Sequence, residues 1–137
     1  MKTIKVFPNT IYMAKLDAVV GSEQGGVRPV LVVDSYQTSS TCVVIPITLE
    51  RANDKHDFHI DLCNGVGTVL VEQIRTIDKR RIFDCFMTEG GYATITENER
   101  TLINEQLMKI CQLKPLRVQG KHFTTKNSEK LEKAIVT

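Results

Sequence analysis

A chain of 137 residues, 42% hydrophobic and 25% charged, has the composition of one globular domain and is too short for two of ordinary size. It contains no apolar run near the ~20 residues of a membrane helix, and the lysine-bearing segment from Met1 to Pro8 lacks the apolar core of a secretory signal. The net charge of +2 excludes a surface that is attractive to nucleic acid all over, because counterion release scales with the phosphates neutralised.

The charge is also uneven. Residues 114–137 carry six Lys/Arg against two Asp/Glu, a balance of +4 that leaves −2 for residues 1–113. A nucleic-acid site in the body of the chain must therefore be a local patch.

In chain order, apolar alternation over residues 10–16 predicts a first strand. The segment Gly21-Ser22-Glu23-Gln24-Gly25-Gly26-Val27-Arg28-Pro29 follows. Its glycines admit backbone angles that other residues avoid and permit close approach to the main chain. Pro29 fixes its own φ and biases Arg28 toward an extended conformation. The run Val30-Leu31-Val32-Val33 then predicts a buried strand over 29–34. Arg28 is thus expected at a strand mouth, facing a loop rich in N–H groups. Two readings stand at this point: an anion-holding arginine, or a solvated one on a glycine-rich turn.

Further strands are expected over 42–49, 57–62, 67–74 and 81–88, with Asn64-Gly65 as a hairpin signal and Gly90-Gly91 closing the last. Thr96-Glu97-Asn98-Glu99 reads as a capping box. Leu102, Ile103, Gln106, Leu107 and Ile110 follow at helical spacing, so 97–113 is predicted as a helix that Lys114-Pro115 ends. Six strands with short links and one helix predict a barrel-like sheet capped by that helix. In the tail, Asn127-Ser128 caps a short predicted helix bearing Leu131, Ala134 and Ile135 on one face.

Cys42, Cys63, Cys85 and Cys111 form no C-x-x-C pair, which argues against a zinc site. Each has apolar sequence neighbours and is expected to act as a small hydrophobe. Reduced thiols and the absence of a signal segment together predict the cytosol. His56 and His59 lie three apart on a predicted strand and so point to opposite faces; both are expected at the surface. His122 has no evident partner. Arg75, Asp78, Lys79, Arg80 and Arg81 read as a salt-bridged strand exit.

The blocks Ile11 to Asp17, "GSEQGGVRPVLV" from Gly21, "IPIT" from Ile45 and "LVEQIRTIDK" from Leu70 resemble the MazF/PemK family of toxin endoribonucleases, over roughly residues 10 to 112. The resemblance implies a mostly β fold with helices (α+β), an SH3-like small barrel capped by a C-terminal helix. It assigns residues 1–114 to the toxin domain and leaves 115–137 as a basic extension. It implies cleavage of single-stranded RNA, mRNA in particular, at short motifs, without metal or cofactor. The products are 2′,3′-cyclic phosphate and 5′-OH ends. It further implies a homodimer with RNA along an interface groove, and a cognate antitoxin whose flexible acidic segment fills that groove.

The chemistry fits the residues. RNA breaks when its own 2′-OH attacks the adjacent phosphorus, provided positive charge meets the phosphorane oxygens. A planar guanidinium suits that task. With a pKa of ~12 or more it is poorly suited to moving protons. The family's catalytic arginine falls on Arg28 and its catalytic threonine on Thr48, whose hydroxyl would donate to a non-bridging oxygen. Ser22, Glu23, Gln24, Gly25, Gly26, Glu72 and Gln73 are the RNA-binding candidates. Two departures matter. One branch of the family pairs an aspartate with an arginine two residues earlier; this chain has Glu72 and Leu70 there, which leaves the Arg28/Thr48 arrangement. Many relatives also place serine after the threonine, where this chain has Leu49. Two other readings share the fold: a toxin that inhibits DNA gyrase, and a barrel that binds RNA without cutting it. Retention of both Arg28 and Thr48 favours the nuclease.

Overall fold

The computed structural model describes residues 4–17, 23, 25–49 and 57–113. Ser22, Gln24, His56, His122 and the tail from Lys114 onward lie outside the described residues, as do the expectations that concern them.

Nine strands and one helix make up the described fold. They are β1 (Ile11–Lys15), β2 (Val27–Ser35), β3 (Thr41–Thr48), β4 (His59–Asp61), β5 (Thr68–Leu70), β6 (Arg75–Asp78), β7 (Ile82–Cys85), β8 (Met87–Thr88), β9 (Gly91–Tyr92) and α1 (Glu97–Ile110). The first seven strands form one antiparallel sheet in the order β4-β5-β3-β2-β1-β7, with β6 also paired to β3. Eight residues give β3 room for two neighbours on one edge: Thr41 to Val44 pair with β6, and Ile47 and Thr48 with β5. The path β6-β3-β2-β1-β7 then has its two ends joined by only the 3₁₀ turn Lys79–Arg81, so these five strands curl into a small staggered barrel.

Alternation along the strands sorts the apolar residues into two cores. Tyr12, Ala14, Val30, Val32, Cys42, Val44, Ile77 and Ile82 fill the barrel. Ile11, Leu31, Ile45, Ile47 and Val69 point the other way and are covered by Ile103, Leu107 and Ile110 of α1. The helix begins as its sequence dictates, with the Thr96 hydroxyl accepting from the Glu99 N–H and the Glu99 carboxylate accepting from the Thr96 N–H. It stops at Ile110, short of the expected 113, where Gln112 turns into the left-handed region at φ 54°. Leu102, expected on the apolar face, is exposed. No helix among the described residues is long and apolar enough to cross a membrane.

Three further expectations are corrected. Residues 67–74 are not one strand: β5 ends at Leu70, a 3₁₀ turn spans Val71–Gln73, and β6 starts at Arg75. The break lets the chain leave the far half of β3 and return along its near half. Residues 81–88 likewise divide into the end of a turn, β7 and β8. Of the cysteines, Cys42 alone is buried, and burial pushes its thiol pKa up; Cys63 and Cys111 are exposed.

Candidate functional site

Arg28 is the second residue of β2 and pairs with Ala14 of β1. Its alternation places it on the barrel-side face with Val30 and Val32, one step beyond the last apolar layer. The glycine turn holds it by a carbonyl: Arg28 Nε donates to Gly25 O at 2.8 Å, and Leu16 N donates to Gly26 O at 2.8 Å. Gly26 has φ +70°, which suits glycine. The described part of the turn thus meets the guanidinium with an acceptor, where a nest of N–H donors was expected. Glu23 is exposed on the same turn.

Thr48 ends β3 and is 6% exposed. The β2–β3 register runs Val30↔Pro46, Leu31↔Ile45, Val32↔Val44; continued by two residues, it sets Arg28 opposite Thr48. On the other side Thr48 pairs with Thr68, and Thr68 with Asp61. Ala14, Arg28, Thr48, Thr68 and Asp61 therefore form a row across five strands at one mouth of the barrel. The buried Thr68 hydroxyl donates to Asp61 Oδ1. Behind Thr48 the backbone of Gly67 passes so close that a Cβ there would lie 2.6 Å from Thr48 O. Leu49, beyond the row, is exposed.

Glu72 and Gln73 sit on the 3₁₀ turn after β5, not within a strand. Glu72 Oε1 lies 2.8 Å from His59 Nε2, and the His59 side chain is only 3% exposed. The expectation of a surface histidine is thereby overturned. His59 alternates with Asp61 on β4, and the turn returns Glu72 to meet it. The signal was present in Phe58-His59-Ile60-Asp61-Leu62, whose period of two puts His59 and Asp61 on one face. Read alone, two polar residues on one face look like the solvent side. Thr68 and Asp61 were missed for the same reason.

The expected salt-bridged exit is present in part: Asp78, Arg80 and Arg81 form ion pairs, while Lys79 donates to the Tyr36 carbonyl. Asp78 accepts from Arg80 at 3.0 Å, which holds its carboxyl below the usual range, and Arg81 pairs with Asp17.

The sequence model of the PemK-like, MazF-like toxins of type II toxin–antitoxin systems matches residues 8–111 of the chain. Endoribonuclease EndoA of Bacillus subtilis (strain 168) is 42% identical over a match covering 54% of this chain and 72% of its own length. Among solved structures, MazF from Deinococcus radiodurans superposes with a TM-score of 0.64 at 22% identity, covering 77% of this chain and 96% of that one. An endoribonuclease from a mycobacterial species, in complex with its cognate antitoxin, gives 0.62 at 18% identity, covering 82% and 100%. At such identities the structural likeness speaks to fold alone.

Proposed function

The chain belongs to the PemK-like, MazF-like toxins of type II toxin–antitoxin systems, and we propose that it cuts single-stranded RNA at the row that holds Arg28 and Thr48. It is an endoribonuclease, and its protein partner is a cognate antitoxin. Residues 1–114 are the toxin domain and 115–137 an extension of it. The working unit is a homodimer that acts on mRNA in the cytosol.

The observation that carries the reading is the β2–β3 register, which pairs Val30 with Pro46 and, continued by two residues, sets Arg28 opposite Thr48. A phosphate lying across two adjacent strands, ~4.8 Å apart, can meet both side chains at once. The Arg28 guanidinium faces two non-bridging oxygens, and the Thr48 hydroxyl donates to one of them. In the step itself the 2′-oxygen forms its bond to phosphorus as its proton leaves, and the bond from phosphorus to the 5′-oxygen breaks as that oxygen gains a proton. Negative charge grows on the non-bridging oxygens in between. Arg28 and Thr48 stabilise that charge, which is where fixed donors have their largest effect. The nucleophile belongs to the substrate, so no metal is needed to generate one. Glu72, Gln73, Glu23, Gly25 and Gly26 contact the neighbouring nucleotides, as do Ser22 and Gln24, which lie outside the described residues.

The product ends test this. Wild-type protein is incubated with a long RNA in EDTA, and the fragments are treated with kinase directly. Cleavage in EDTA with 5′ ends that accept label supports the mechanism. Fragments that need phosphatase first would reveal hydrolysis by activated water instead.

A further inference from the structure

One cleft beside the row has no role in the reaction as described. It has a volume of about 720 Å³ and is lined by Lys15, Asp17, Asp78, Arg80, Arg81 and Phe83. Its position follows from pairing. Ala14 is bonded to Arg28 on one side and to Ile82 on the other. Lys15 follows Ala14 on β1, and Arg81 precedes Ile82 at the end of the 3₁₀ turn. Because Ala14 and Ile82 face the barrel as Arg28 does, Lys15 projects over the rim to its outer side, about one strand spacing, ~5 Å, from the strand of Arg28.

The two flanks of the row differ in charge. On the β4 side lie Asp61 and Glu72, whose carboxylates can accept hydrogen bonds from bases but repel a phosphate. On the β1 side three cations face two carboxylates. Lys15 is exposed and makes no ion pair among the described residues. Arg81 is paired with Asp17, but that carboxylate is 68% exposed, and such open ion pairs contribute little and exchange readily. Phe83 adds a half-exposed ring from β7, whose neighbour Ile82 is buried in the barrel. An aromatic face beside cations is what single-stranded nucleic acid uses: bases stack and phosphates are neutralised.

We infer that this cleft is an accessory nucleotide subsite, in which a backbone phosphate of the RNA lies against Lys15 and Arg81 and the adjoining base stacks on Phe83. The inference rests on the RNA-cleavage reading and adds a path for the strand on the β7 side of the scissile phosphate, opposite the side on which Glu72 and Gln73 meet neighbouring bases.

The probe is a 2′-O-methylated decamer carrying the cleavage sequence mapped on a long RNA with wild-type protein. Its affinity is measured over a salt series for wild type, Lys15→Gln, Phe83→Leu and Phe83→Tyr, with melting curves to show that each is folded. Lys15→Gln should lower the salt slope by ~0.7, the value for one phosphate contact on a single strand. Phe83→Leu should weaken binding by about fivefold or more at every salt concentration, and Phe83→Tyr should restore it. An unchanged slope in Lys15→Gln, or wild-type affinity in Phe83→Leu, overturns the subsite. If the wild type cleaves the long RNA and these variants bind as it does, the subsite alone fails. If the wild type cleaves no RNA, the parent reading fails and the subsite with it.

Discussion

Arg28 owes its place to its backbone more than to the charges around it. Pro29 sets the entry to β2, Ala14 pairs beside it, and the Gly25 carbonyl fixes the guanidinium through Nε. All three influences are local in sequence or follow from one hairpin, which is why the arginine could be found before the fold was known. Thr48 is different. Nothing around it distinguishes a functional threonine from an ordinary β-branched strand residue, and only the register with Arg28 and Thr68 gives it neighbours with a purpose. Thr48→Ala should fold normally and lose cleavage by roughly 10²–10³, the usual effect of one missing charge-stabilising donor, as measured by initial rates on a long RNA. The face of His59 was legible from the period of two along β4, but its burial was not. Its partner Glu72 is 13 residues away and meets it only because the chain turns after Leu70. His59→Ala leaves the Glu72 carboxylate without that partner and should lower stability by about 1–3 kcal/mol, read from denaturant melts.

Elements position the row, and Gly67 shows how tightly. Its φ of +148° and the 2.6 Å gap to Thr48 O leave no room for a side chain. Gly67→Ala should push the end of β3 away from β5 and reduce cleavage while the barrel, built on other strands, stays folded; near-wild-type rates would show that the Thr48 backbone can move without cost. The helix offers a pH-dependent test. Burial raises the Glu99 pKa, but N–H donors from Thr96 and Cys63 outweigh it, and the net shift is downward. A carboxylate with a depressed folded pKa contributes stability that is fully present above its unfolded value, ~4.3, and lost as pH falls through the folded one. Glu99→Gln should therefore lower stability by about 1 kcal/mol at pH 7, and its melting temperature should fall less steeply than that of the wild type below pH 4. Parallel acid limbs would contradict this assignment. The capping box was legible because its two residues lie three apart. The break in 67–74 was not, because alternation records which side chains are buried and says nothing about a strand's partner. Here β3 has two partners on one edge, and the chain must leave one to form the other.

At the scale of the molecule, the barrel closes because β6 and β7 are joined by three residues at the ends of a five-strand path. Closure brings Lys15 and Arg81 to the rim of the mouth that holds Arg28, with Lys15 and Phe83 projecting outward from it. A net charge of only +2 is then no obstacle to RNA binding, since the cations sit on one flank of the site and the carboxylates Asp61 and Glu72 on the other. Long-range placement of this kind was beyond the reach of composition. The mostly β, helix-capped class was within it, because short apolar segments and one capped helical period state it directly.

The most direct test compares the wild type with Arg28→Ala on one long RNA, in EDTA, with circular dichroism and melting curves on both. Arg28→Ala is expected to fold as the wild type does and to lose cleavage by well over the ~10²–10³ of a single neutral donor, because it removes the guanidinium charge aimed at the phosphorane. A folded Arg28→Ala protein that still cuts at a rate near the wild type would contradict the central claim, whatever the fate of the other residues in the row.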